Sequence, residues 1–183
     1  MIGIPLGLLY GNAGEWLIHK YLLHGRGKNK KTFFSFHWHD HHKNARRDEM
    51  VDVDYHKPLF RWHPPGKELF ALSMLALAHL PLLSIAPFFT VTTFYCAFNY
   101  YRVHKKSHND PEWARKHLPW HVDHHLGPNQ DANWCVTKPW FDIVMGTRIP
   151  YVGTEKEQKD KERKARLQAR RPVRVPVGAQ AVV

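Results

Sequence analysis

The longest apolar run in the chain extends from Leu69 to Tyr101, "LFALSMLALAHLPLLSIAPFFTVTTFYCAFNYY", without a single Lys, Arg, Asp or Glu. It exceeds the roughly 18 residues that suggest a membrane span. As one straight helix it would be about 50 Å long, well beyond a hydrocarbon core of about 30 Å. Pro81 and Pro87 interrupt it, and each removes a helical hydrogen bond, so the pattern predicts two helices folded into a hairpin. A second, shorter apolar stretch, "MIGIPLGLLYGNAGEWLIHK", opens the chain. It lacks the basic start of a cleaved signal and is expected to stay in the mature protein.

Polar segments fill the rest. Residues 43–67, "KNARRDEMVDVDYHKPLFRWHPPGK", read as a polar connection with Pro-marked turns. "NDPEWARKH" starts a helix with Asp110 as cap and Pro111 at the first helical position. "GPNQDANWCVTKPWFDIVMGTRIP" predicts an ordered loop ending in a short helix around Trp140 to Met145. Thr154 and Glu157 form a capping-box pattern ahead of a charged helix to Arg171, after which "RPVRVPVGAQAVV" reads as disordered. The expected fold is all-α: a membrane-associated helical bundle with one apolar hairpin (69–101) and a cytosolic histidine-rich metal-binding cap, in a domain 1–153 followed by a basic tail 154–183.

Lys and Arg number 27 against 16 Asp and Glu, a net charge of +11. The basic residues flank the hairpin instead of forming a nucleic-acid motif, so no nucleic-acid partner is expected. A hairpin puts both flanks on one side, and the positive-inside tendency makes that side cytoplasmic. Cys96 and Cys135 form no C-x-x-C pair, which indicates neither a disulfide framework nor a thiolate zinc site.

What changes the picture is histidine. Most of the 15 fall into four clusters: "HKYLLH" (19–24), "FHWHDHH" (36–42), "RVHKKSH" (102–108) and "HLPWHVDHH" (117–125). His104 and His108 are four apart and share a helix face; His121, His124 and His125 do too if the chain is helical after Pro119. On a regular helix His19 and His24 diverge by about 140°, so they would grip one ion from two sides or touch two ions. His41 and His42 diverge by about 100°, one for each of two metals. His37 and His39 compete as their further partner, with His37 favoured. Around ten imidazoles without thiolate suit iron, zinc, copper or nickel, and they are too many for one ion. A dinuclear centre at a membrane surface follows.

The motifs H-x4-H, H-x3-HH, H-x3-H and H-x2-HH, with a hairpin between the second and third, resemble those of the fatty acid hydroxylase and sterol desaturase superfamily of integral-membrane di-iron enzymes. The resemblance covers residues 5–150. "HKYLLHG" is similar to the opening of bacterial beta-carotene hydroxylases, and the segment from His124 to Thr147, with Asn133, Trp140, Asp142, Gly146 and Thr147, looks like the closing segment of fatty acid hydroxylases. It implies two metal ions, iron or in isolated protein zinc, bound by His19, His24, His37, His41, His42, His104, His108, His121, His124 and His125. His39 and His117 are spare histidines that could shift the assignment by one. It implies O2-dependent hydroxylation or desaturation of a lipid C–H bond. Asp142 would orient an imidazole by accepting its other N–H, or else cap the short helix. The family commonly has four spans, so this chain would sit shallowly or complete its embedding by association, as in a homo-oligomer. "WHPPGK" superficially resembles a cytochrome b5 haem loop, but no haem domain fits beside it, so electrons would come from a separate donor of ferredoxin or cytochrome b5 type. A di-zinc hydrolase and a non-catalytic metal-binding protein are the competing readings.

Overall fold

The computed structural model describes residues 2–58 and 60–170, and the terminal segment expected to be disordered lies outside them. The described residues are helical and contain no strand, as the sequence pattern predicts. The chain divides into two compact units, Met1–Val152 and Gly153–Val183.

In the first unit, α1 (Gly3–Leu17) runs without a break into a π-helix, Ile18–Arg26. A second π-helix, His37–His42, continues as α2 (Lys43–Arg47). The hairpin is present and longer than its apolar run. Its first arm is α3 (Pro64–His79) with a 3-10 turn, Leu80–Ser84, and its second is α4 (Pro87–Asn109). Pro81 and Pro87 interrupt the run as the sequence suggests, Pro81 in the 3-10 turn and Pro87 at the start of the second arm, while Pro64, placed by the sequence in the connection, starts the first arm. Pro64–Ser84 is the one helix among the described residues long and apolar enough to cross a membrane, and only 6% of its apolar window is buried. The core helix of a soluble protein would be mostly covered.

Three glycines set the position of α1. Gly3, Gly7 and Gly11 recur every fourth residue, which aligns them on one face. A Cβ added at them would come within 2.8 Å of Phe89 N, 2.7 Å of Thr92 Cβ and 2.8 Å of Cys96 respectively. The matched order shows that α1 and α4 run parallel along a small-residue seam of the kind that lets helix backbones approach closely. The π-helix that continues α1 and the C-terminal part of α4 therefore bring their histidines to the same end. Gly14, by contrast, has nothing within 4 Å. Gly7→Ala is expected to destabilise the detergent-solubilised protein by about 1–3 kcal/mol through overpacking. Gly14→Ala should stabilise it by about 1 kcal/mol through helix propensity. Thermal melts of the two variants check the seam, and equal shifts would refute it.

Beyond α4, α5 (Pro111–His117) and α6 (Pro119–Leu126) follow as read from sequence, with the Asp110 carboxylate accepting from the Trp113 N–H at 3.0 Å. The loop after α6 ends in α7 (Trp140–Val144). α1 holds that loop: Asn12 donates to the Lys138 carbonyl and accepts from Phe141 N–H, while Glu15 accepts from the N–H groups of Val136 and Thr137 and from the Thr137 hydroxyl. Residues 43–67 are more than a connection. They bury Met50, Asp52 and Tyr55, and all three carry site contacts.

The second unit contains α8 (Glu155–Ala169), started by the Thr154 hydroxyl accepting from Glu157 N–H, with Glu157 accepting in turn from Gly153 N–H at 2.8 Å. Arg171, the expected helix end, lies outside the described residues.

Candidate metal centre

Imidazoles from both π-helices, α4 and α6 meet where the parallel ends of α1 and α4 emerge. His19, His24, His37, His42 and His124 form one group, and His41, His104, His108 and His125 a second; within each, the nitrogens lie within 4.8 Å of one another. His121 joins the second group, its Nε2 3.1 Å from that of His108 and its ring 4.6 Å from that of His125. All ten side chains are buried.

The partition decides between the two possibilities left open for His19 and His24 and corrects two expectations built on regular helix geometry. His19 and His24 share one group because they lie on a π-helix, whose i→i+5 hydrogen bonding returns residues five apart to one side. The Gly27 N–H bond to the Leu22 carbonyl, 3.0 Å, is such a bond. His37 pairs with His42, also five apart on a π-helix, and not with His41 one α-turn away. On α6, His124 turns to the first group while His121 and His125 turn to the second, so the three do not act as one face. Two sequence-adjacent pairs, His41/His42 and His124/His125, thus straddle the groups. His39 is in neither. Its Nε2 bonds the Lys28 carbonyl at 3.0 Å, since one residue's rotation past the site leaves it at the surface. His117 likewise bonds the Trp113 carbonyl and stacks on the Trp113 ring.

Oxygen acceptors fix the orientation of seven rings. Nδ1–H donates to the Trp134 carbonyl from His19 (2.6 Å), to Asp131 from His24 (3.3 Å), to Gln130 Oε1 from His42 (2.9 Å) and to the Ala132 carbonyl from His124 (2.6 Å). In the second group it donates to Asp52 from His41 (2.8 Å), to Glu68 from His104 (2.6 Å) and to the Met50 carbonyl from His108 (2.6 Å). A carbonyl or carboxylate oxygen can only accept, so the proton sits on Nδ1 and each Nε2 presents a bare lone pair.

Those lone pairs face one another. His42 Nε2 lies 3.1 Å from both His24 Nε2 and His124 Nε2, and no proton is left to bridge them. The Nε2 atoms of His41, His104 and His125 are buried with no hydrogen-bond partner among the described residues. Leaving such groups unsatisfied costs about 1–3 kcal/mol each. A cation at the centre of each group removes that cost. Ligands about 2.0–2.1 Å from a common ion sit about 3 Å apart, close to the 2.9–3.2 Å Nε2 separations in the first group. The residues fit two metal ions, five imidazoles each.

Burial pushes nine of the ten imidazoles below their ordinary range, with neighbouring imidazoles adding to the effect, and holds them neutral as ligands must be. His124 is lowered to about 4 by burial, with its bond to the Ala132 carbonyl pulling the other way.

The family model for fatty acid hydroxylases matches residues 4–147. The chain belongs to this family. No curated protein and no solved structure matches it.

Within this fatty acid hydroxylase family member, Asp142 has neither of its expected roles. It accepts from Trp134 N–H (2.8 Å), Cys135 N–H (2.8 Å) and the Thr147 hydroxyl (2.7 Å), touches no imidazole, and lies inside α7, whose N-cap is Pro139. It acts at one remove, pinning the segment whose Trp134 carbonyl holds His19. The acceptors that do touch the rings, Asp52, Glu68, Gln130 and Asp131, escaped the sequence reading because isolated carboxylates and amides carry no spacing signal. Glu68 alone had one: it is the last charge before the apolar run. Asp52→Asn is expected to weaken metal binding about 10- to 100-fold by disturbing the orientation of His41, while the fold is retained. A competitive chelator titration measures this, and unchanged affinity would refute the role.

One cavity leads to the centre. It measures about 170 Å³ and runs between α1, α3 and α4. Its wall is apolar along Leu72, Leu75, Phe94 and Ala97, and it ends at His19, His37, His41 and His104.

Proposed function

We propose that this chain is a membrane-bound di-iron oxygenase that hydroxylates, or desaturates, an unactivated C–H bond of a lipid. The observation that carries the reading is the meeting of two five-imidazole groups with an apolar cavity between the arms of a hairpin. In hydroxylation the balance is lipid C–H plus O2, two electrons and two protons, giving lipid C–OH and water. The metal pair, when bound, supplies the oxygen chemistry. The chain's own residues do the rest. The histidines fix the ions, the oxygens on Nδ1 fix the histidines, and the cavity wall seats an apolar chain against His37, His41 and His104 while excluding water. A lipid would enter from the bilayer, with the site on the cytoplasmic face. Reducing equivalents would come from a separate protein.

Elemental analysis of protein from iron-supplemented cells, combined with turnover of acyl, sterol and carotenoid substrates under O2, tests the reading. About two irons per chain with an oxidised product supports it. Two zincs with O2-independent ester or phosphate cleavage would replace it with a hydrolase, and a low, variable metal count with a storage protein.

A further inference from the structure

Adjacent residues His41 and His42 face different openings. His41 lines the apolar cavity, whereas His42 lines a second, shallow depression together with Trp38, His39, Lys43, Arg46 and Gln130. The two share no lining residue. Apart from Trp38, the residues that line the depression are polar or basic, unlike those of the cavity.

Three features of the depression point to a partner. Trp38 stacks on His42, with ring centroids 5.4 Å apart and planes 25° apart, so a partly exposed aromatic ring rests directly on a buried imidazole of the first group. The rim is positive: Lys43 and Arg46 are exposed and Lys28 lies over the Trp38 ring at 4.8 Å. The acid beside the rim, Asp131, pairs with Lys28 at 2.8 Å, so those two charges cancel and the positive charge of the rim rests on Lys43 and Arg46. Finally, His42 is the hub of its group, with its Nε2 3.1–3.2 Å from those of His24, His37 and His124.

We propose that this depression is the docking site of an acidic one-electron carrier protein, whose electrons enter the metal pair through Trp38 and His42. The inference rests on the oxygenase reading for its purpose, and it adds where the donor binds. Each encounter oxidises the reduced carrier by one electron and reduces the metal pair by one, so two carriers serve one turnover. The basic rim steers the carrier and sets its orientation. Lipid and electrons thus arrive by separate routes, and a carrier can dock while the cavity is occupied.

The test uses the full chain in nanodiscs and an acidic [2Fe–2S] ferredoxin as probe. Binding is read by interferometry at low and high salt, and reduction of the iron centre by stopped flow. Lys43→Glu is expected to raise the Kd at least about fivefold at low salt, a difference that collapses at about 0.5 M salt. Lys116→Glu, a charge reversal on α5, serves as the control and should leave the Kd unchanged. Trp38→Leu should slow reduction by saturating ferredoxin about tenfold or more, with Trp38→Phe restoring much of the rate and iron content unchanged in both. Dithionite, which needs no docking site, should reduce the Lys43→Glu protein at the wild-type rate. Equal weakening by Lys43→Glu and Lys116→Glu, no weakening by Lys43→Glu, or ferredoxin-driven reduction indifferent to Trp38→Leu would each overturn the proposal. Failure of the oxygenase reading shows separately, as a centre that dithionite reduces but that oxidises no lipid.

Discussion

His42→Ala is expected to lower the metal content from about two ions to about one per chain and, on the oxygenase reading proposed above, to abolish measurable lipid turnover, whereas His39→Ala leaves the metal content unchanged. The two residues are three positions apart in the same motif. His42 Nε2 stands within 3.2 Å of three other Nε2 atoms. Losing it opens the first group at its centre and leaves His24 and His124 with bare, buried lone pairs. The loss in activity should exceed the roughly 10- to 100-fold typical of an outer hydrogen-bond partner. His39 spends its Nε2 on the Lys28 carbonyl, so its removal costs one surface hydrogen bond. Metal counts on the two purified variants decide the matter, and a loss of iron from the His39 variant would sink the assignment.

The metal-free protein is expected to lose stability steeply on acidification. Nine buried imidazoles are held below their ordinary range of about 6.5. In the unfolded chain they bind protons as the pH falls through that value, but in the folded chain they do so only further down, at about 4 for His124. Between those limits the unfolded state holds more protons, so stability present above about pH 6.5 is lost as the pH falls. Each such proton contributes a slope of about 1.4 kcal/mol per pH unit. Several acting together make the melting temperature of chelator-stripped protein fall sharply between pH 6.5 and 5. Bound metal shifts the loss to lower pH, because ions and protons compete for the same nitrogens. A melting temperature independent of pH over that window would show that the imidazoles are not buried as neutral groups.

The chain's pattern was enough to set the helical class and the hairpin and to mark the four histidine clusters whose imidazoles converge, while the choice of ten among them came from the family resemblance. A run of residues without charge has to leave water, prolines cannot continue a helix, and four histidine clusters at helical spacing have few structural uses. Asp110 with Pro111, and Thr154 with Glu157, likewise mark helix starts because capping is a local matter of one side chain and the next turn. The glycine seam of α1 went unread: Gly3, Gly7 and Gly11 stand at four-residue intervals, but only the closeness of Phe89, Thr92 and Cys96 gives that spacing meaning.

The division of labour among the histidines was decided by tertiary structure. Whether His19 pairs with His24 depends on an α- or π-helical turn, and that choice is made by packing and ligation, not by the propensities of the residues in "HKYLLH". The same holds for His37, which joins His42 and not His41. The oxygens that orient the rings come from far along the chain, as in His19 with Trp134 and His24 with Asp131, 115 and 107 residues apart. A lone Asp, a Gln or a backbone carbonyl has no periodicity by which to be found, and becomes a partner only when folding brings it within hydrogen-bonding distance. Sequence determined how many nitrogens the site has and on which helices they ride; the three-dimensional packing determined which of them share an ion, because that depends on where side chains point and what holds them there.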